Sequence, residues 1–417
     1  MGEINLYIFT VNSIGYNYGI GTYLNQLVDS VKKEKNIHLT LIKLFCEGER
    51  EPKIEKKDGY QQITIPSIPN PRNPNTIERY IRNSIYLLKT IIPDTENNIF
   101  HIHSTTCFDA ITVWIKKLFR GKTLLTLHYT DWNFDLLGDK KQLRQILAKP
   151  KEELTEDIEK HIHKGIERDR TIVEHCDKVI CIAQHSLDAA KEFFGIEDER
   201  MCLITNGLKD EFKPLSATQK TLLKQKQYIS ENEKIIVFAG RLDEAKGIPF
   251  LLKAFGTVLK KHQNTRLILA GEGSFEQWIP LARSLGTKVT FTGRLNKKQL
   301  FDLYRIADIG VMPSIHEQFG LVALEMMMHA LPIIVTDTGG LKEIVENRKT
   351  GLKIPIKKKN NKLCVDTSAL AQHICYLLEN QDFALQLGEN ARKAFLQKYE
   401  YTHFKQKMLT LYTELIH

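Results

Sequence analysis

A strand-like apolar run followed by a helical period, repeated and then begun afresh, is the feature that most limits how this chain can fold. "INLYIFTV" is the first run, and the helix after it, "TYLNQLVDSVKK", sets Leu24, Leu27, Val28 and Val31 on one face. "NIFHIHS", "TLLTLHY" and "KVICIA" read as further strands. The series restarts at Glu233 with "EKIIVFAG", the helix "IPFLLKAFGTVLKKH", and the strands "TRLILAGEG", "KVTFTG", "DIGVMPS" and "LPIIVTDTGG". This is the β-α-β alternation of parallel sheets covered on both faces, so the fold class is α/β with two Rossmann-like, doubly wound domains. The polar stretch broken by Pro214 places a linker near residues 211–218. The domains are then 1–212 and 218–395, and a closing helix over 396–417 is expected to pack back toward the first domain. The charged segment 138–170 breaks the alternation. It reads as a solvated helical insertion, or as a basic surface for an acceptor or membrane. "IKKKNNKL" reads as an exposed turn.

Composition narrows the class further. With 417 residues, 42% hydrophobic and 26% charged, the chain can fill cores of ordinary size. A net charge of +9 suits an anionic ligand, an anionic membrane surface or nucleic acid, and selects none of them. The cations are not interleaved with aromatics, which makes nucleic acid the weakest of the three. Seven cysteines without a CxxC pair read as buried thiols in a reducing compartment. No apolar run approaches the roughly 18 residues of a membrane span. No basic stretch precedes "INLYIFTVN" as a secretory signal would require. A cytoplasmic protein is expected, with peripheral contact at the inner face of a membrane left open.

Several loops carry candidate chemistry. Gly15, Gly19 and Gly21 lie between the first strand and its helix, where a backbone can approach a phosphate. The dinucleotide pattern GxGxxG fails there at Leu24, and fails again in "AGEGSFE", where Gly271 and Gly273 are followed by Glu276. Tight strand-to-helix turns explain each loop equally well. In "VFAGRLDEAKG", Arg241 and Lys246 follow the strand that ends at Gly240. That connection lies at the carboxyl end of its strand, where two cations can neutralise a diphosphate. His103 and His128 end two strands. A histidine there is usually a structural hydrogen-bonder, and His103 is left at that reading. Finally, "HEQFGLVALEMM" holds Glu317 and Glu325, eight residues apart. They could be an acid and a base, ligand holders, or helix-terminal charges, and spacing alone does not decide.

In order, "YGIGTY", "TLHYTDW", "CDKVICIAQ" leading to "ITNG", "AGRLDEAKG", "LAGEG", "HEQFGLVALEMM" and "TDTGGLKEIV" resemble a retaining GT-B glycosyltransferase of the family 4 type across nearly the whole chain. The resemblance implies two facing domains with a nucleotide-sugar donor in the cleft, held mostly by the second, and an acceptor on the first. It implies Arg241 and Lys246 on the donor diphosphate, Glu325 on the ribose hydroxyls and Glu317 facing the transferred sugar. It also implies backbone N–H groups of Phe319, Gly320, Leu321 and Val322 at the sugar and phosphates. Gly19 and Gly21, with Gly240, Gly271 and Glu272, would line the donor, and His128 would stand near the reaction centre. Two departures stand out. The family's paired glycines read Tyr18-Gly19 here, and the insertion after Trp132 has no place in the shared pattern.

Transfer from such a donor develops charge on the leaving diphosphate, so fixed cations are the largest expected contribution. No Asp-x-Asp occurs in the chain, which fits a site without metal or cofactor. Retention lets the acceptor's proton pass to a departing phosphate oxygen, so no protein base is required. The expected donor is a UDP-sugar, and the expected acceptor a carbohydrate, a lipid-linked saccharide or a peptide. A nucleotide-sugar 2-epimerase-like enzyme and a non-catalytic nucleotide-sugar-binding subunit are the alternatives.

Overall fold

The structure, a computed structural model, describes residues 2–11, 19–68, 73–103, 109–360 and 362–417. It divides into two compact units, Met1–Gly207 together with Tyr401–His417, and Leu208–Glu400. The chain passes from one to the other between Gly207 and Leu208, a few residues before the stretch read as a linker. It returns between Glu400 and Tyr401. Asp210, just past the first crossing, is already anchored in the second unit by a two-pronged ion pair to Arg392 (2.6 and 2.8 Å). The last helix, Tyr401–Ile416, folds with the first unit and buries Phe404, Met408, Leu411 and Tyr412 there.

The first unit is built on eight strands: β1 (Ile4–Val11), β2 (Ile37–Cys46), β3 (Lys53–Lys57), β4 (Tyr60–Pro66), β5 (Asn98–Ile102), β6 (Lys122–Leu127), β7 (Lys178–Cys181) and β8 (Met201–Leu203). Their spatial order is β3-β4-β2-β1-β5-β6-β7-β8. All neighbours are parallel except β3 and β4, an antiparallel hairpin at the edge. The second unit holds β9 (Lys234–Ala239), β10 (Thr265–Ala270), β11 (Val289–Gly293), β12 (Ile309–Met312), β13 (Ile333–Thr336) and β14 (Leu352–Ile354). These run in the order β11-β10-β9-β12-β13-β14, all parallel. Central strands such as β12 and β13 are buried at every position, which is why they appear in the sequence as near-continuous apolar runs. The strand order reverses between β1 and β5 in one unit and between β9 and β12 in the other. Ligands of open α/β sheets bind at such points, beyond the carboxyl ends of the strands.

Two local expectations need correction. The segment 138–170 is helical, over Lys140–Leu147 and then Asp157–Glu174, but it is not a solvated appendage. Leu143, Ile146, Ile162 and Ile166 join Trp132 and Leu136 in the main core of the unit. Nor is it a free basic surface, because many of its charges answer one another. Lys149 pairs with buried Glu159 at 2.5 Å, Arg144 with Glu192 at 2.5 Å, and Lys151 with Glu167. Arg168 bridges Asp131 (2.9 Å) and Asp169 (2.7 Å), and burial pushes the Asp169 carboxyl up to about 6 against the pull of that guanidinium. The sequence pattern hid this because the apolar stripe is only a third of each helix turn, and the charges between its members dominate composition. The second correction concerns "IKKKNNKL". It forms a two-stranded antiparallel hairpin, β15 (Ile356–Lys359) with β16 (Lys362–Val365). Its turn carries Asn360 in the left-handed region, φ 49°, as a tight hairpin turn demands.

Candidate functional site

In the second unit the switch point is built from the loops after β9 and β12. "GRLDEAKG" folds around Asp243. Its carboxylate accepts the Lys246 backbone N–H at 2.9 Å and lies 3.1 Å from an Arg241 nitrogen. A short Asp side chain reaching a backbone N–H a few residues ahead is local turn chemistry, and here it organises both cations at once. Gly247 then opens the helix Ile248–Lys261 at φ 77°, and a Cβ on it would lie 1.9 Å from the Pro313 carbonyl oxygen. Only glycine lets the two loops close to that distance. The Ile315 N–H donates to Ala245 O across the same seam at 2.8 Å.

The closure brings Lys246 Nζ to 2.5 Å from Glu317 Oε2, and the Ser314 hydroxyl reaches the same oxygen at 3.4 Å. Both charged side chains are mostly shielded, with 20% and 15% exposure. The first turn of the helix Gly339–Ile344 holds the Glu317 backbone, its Gly340 N–H donating to the Glu317 main-chain carbonyl at 2.8 Å. Glu317 is therefore the counter-charge of a cation and not merely a charge near a helix start. Beside it, Gly240 donates to Ala270 O at 2.9 Å, and a Cβ on Gly271 would meet Gly240 O at 1.8 Å, so the ends of β9 and β10 touch. Glu272 lies on this rim, exposed, its carbonyl accepting from Leu242 N–H (2.8 Å) and its carboxylate 3.9 Å from Arg294.

Glu325 belongs to a different neighbourhood. Gly320 caps the helix Leu321–Met328, buried Phe319 precedes it, and Leu321 and Val322 form its first turn. The first N–H to bond within that helix is that of Ala323, to Gly320 O, so the amides of Leu321 and Val322 point outward from the helix start. Glu325, one turn in, is partly buried and accepts a hydrogen bond from the Tyr304 hydroxyl at 3.2 Å. Burial pushes its carboxyl up to about 7. The two glutamates thus answer to different partners, Lys246 and Tyr304. That arrangement suits two binding carboxylates better than one shared acid–base pair.

In the first unit, Gly19 and Gly21 lie in the first turn of the helix Gly19–Val31, the next described element after β1. Gly15 and Tyr18 fall outside the described residues. His128 follows β6 and is 7% exposed. Its Nε2 is 3.2 Å from Nδ1 of buried His103, and the Tyr23 ring meets it edge-on at 4.6 Å. Burial pushes His128 down to about 3, so it is a neutral imidazole with one donor and one acceptor. His101 is equally buried, between Tyr412 Oη (2.7 Å) and Thr126 Oγ1 (2.8 Å). Sequence reasoning missed Asp243, Ser314 and Tyr304, and left His103 with no link to His128. Only Asp243 had a signal, its place three residues before Lys246. Among the described residues no three His, Cys, Asp or Glu side chains converge to hold a metal. Among them, too, no helix is long and apolar enough to cross a membrane.

Residues 18–212 match the family model described as Glycosyltransferase Family 4, and residues 219–394 match Glycosyl transferases group 1. The chain is 30% identical over 244 residues to the uncharacterized glycosyltransferase MJ1607 of Methanocaldococcus jannaschii, over 57% of this chain and 60% of that protein. The matched stretch spans about half to three-fifths of the length of the curated relatives it matches. Among solved structures, sucrose-phosphate synthase from Thermosynechococcus elongatus superposes with a TM-score of 0.76 at 21% identity, over 99% of both chains. Anabaena Alr3699/HepE in complex with UDP and glucose superposes with a TM-score of 0.72 at 16% identity, over 99% of this chain and 100% of that one. At these identities the likeness is one of fold, and that fold is GT-B.

Proposed function

This chain belongs to the glycosyltransferase family 4 type, and on that premise we propose that it moves a sugar from a UDP-sugar to a hydroxyl acceptor with retention of anomeric configuration. The observation that carries the reading is the Lys246–Glu317 pair at the β9/β12 switch point, with Arg241 presented from the same loop. Lys246 and Arg241 neutralise the diphosphate as charge develops on it. Glu317, already beside Lys246, is placed to meet the sugar's hydroxyls. The first-turn amides of Leu321 and Val322 add partial positive charge. Glu325 holds the ribose hydroxyls. The acceptor's proton leaves on a phosphate oxygen, so none of these carboxylates acts as a base. That the Anabaena neighbour is in complex with UDP and glucose supports the choice of nucleotide.

His128 enters as a neutral hydrogen-bonder near the transferred sugar. His128→Ala is expected to lower transfer at least about tenfold, the loss of one well-placed hydrogen bond in a transition state. Because burial holds His128 near 3, the pH–rate profile between 5 and 8 should keep its shape in that variant. A wild-type rate in His128→Ala would return it to a structural role.

The decisive experiment is a panel of nucleotide sugars, with released nucleotide and mass change followed with and without an acceptor extract. Donor-dependent nucleotide release and a hexose-sized mass gain on the acceptor are expected. Epimerised sugar with no transfer would replace the reading by a nucleotide-sugar epimerase. Tight binding with no turnover at all would leave a nucleotide-sugar-binding subunit.

A further inference from the structure

The helix that carries Glu325 packs against Lys297–Ile306, and one side chain there is placed without an evident structural need. Tyr304 is 1% exposed, and its ring lies in an aromatic cluster with Phe301 (6.2 Å) and His329 (5.5 Å). Phenylalanine would fill that cluster equally well. The hydroxyl alone reaches out of it, and it donates to Glu325 Oε2 at 3.2 Å. We infer that Tyr304 is a positioning residue for the donor, its hydroxyl fixing the direction of the Glu325 carboxylate toward the ribose hydroxyls. The inference rests on the donor reading above for what Glu325 binds. The Tyr304–Glu325 contact itself does not depend on that reading.

The electrostatics agree. Burial alone would favour a protonated, poorly accepting Glu325 at neutral pH. The Tyr304 hydrogen bond opposes this by favouring the charged form, as does Lys297 at the start of the same helix. Glu211 acts the other way and is itself engaged by Lys297 at 2.5 Å. His329, at the end of the Glu325 helix, donates its Nδ1–H to the Glu325 backbone carbonyl (2.7 Å). It is pushed down to about 4, chiefly by burial with Arg305 and Arg392 adding to the effect, so it brings no positive charge at neutral pH. Tyr304 is thus the one direct side-chain donor to the carboxylate that the described residues show.

Tyr304→Phe isolates the hydroxyl. The carboxyl titration of Glu325 is followed by carbon-13 NMR on glutamate-labelled wild type, Tyr304→Phe and Glu325→Gln, the last identifying the resonance. The wild-type midpoint is expected near 7 and the variant midpoint higher. UDP affinity is then measured against pH. The variant should lose about tenfold at pH 6.5 and recover most of it by pH 9, the pattern of a displaced titration. A merely structural hydroxyl would weaken UDP equally at every pH. An unmoved Glu325 midpoint, or a pH-independent affinity loss, overturns the inference. Failure of UDP, GDP and ADP to bind the wild type overturns instead the donor reading beneath it, and with it the ribose role.

Discussion

Lys246→Met is expected to lower turnover with the nucleotide sugar by about 10²-fold or more, the scale for losing one preorganised charge contact to a developing anion. The side chain is held 2.5 Å from Glu317 in a mostly shielded site, so its charge acts through a lower effective dielectric than a surface lysine would. Removing it has a second consequence. Glu317 is left as a shielded carboxylate without its cation, which costs about 1–3 kcal/mol of stability by the usual penalty for an unpaired buried group. The two effects separate in a cycle with Glu317→Gln. The double variant should regain most of the lost stability and none of the lost turnover, because the amide needs no cation but the diphosphate still does. Arg241→Ala should fall in the same direction. It should cost little stability, since its ion pair with Asp243 at 3.1 Å is more exposed. Near-normal kcat and donor KM in both variants would remove the diphosphate from this loop.

The alternation of apolar runs and helical periods carried both units, because central parallel strands must be apolar on both faces and their helices amphipathic. It carried the edges poorly. β3 is exposed at all five positions, and β15 is lysine over three of its four, so neither has the apolar signature of a strand. Edge strands that stay soluble carry charge for this reason. The site was legible as a set of residue types at strand ends, and illegible as a set of partnerships. Nothing local says that Lys246 meets a carboxylate 71 residues away, or that Tyr304 reaches Glu325. Those pairings depend on strand order, which here turns at β9 and β12. The insertion failed for the opposite reason. Its composition announced charge, while its fold uses the few apolar positions and pairs the charges around them.

Glu325→Gln is expected to move affinity and stability in opposite directions. In the folded protein this carboxyl keeps its proton up to about pH 7, whereas its ordinary value is 4.5. Losing the proton therefore favours the unfolded chain. The cost begins above about pH 4.5, grows through pH 7 and is fully present beyond it. Glutamine has nearly the same shape, still accepts from the Tyr304 hydroxyl and never ionises. The variant should gain about 1–3 kcal/mol near pH 8, part of the full shift being screened at this partly open position, and nothing at pH 4. For a unit of this size that gain appears as a rise of several degrees in Tm at pH 8 only. Donor binding should fall about 10- to 100-fold over the same range, because a neutral amide replaces an ionised acceptor of two hydroxyls. The loss should lie in donor affinity, with the rate of the bound complex changed far less. A group that costs the ligand-free fold stability and returns it only when a ligand is bound is in place for the ligand. If Tm at pH 8 and UDP affinity both stay at their wild-type values, Glu325 holds neither the proton nor the ribose.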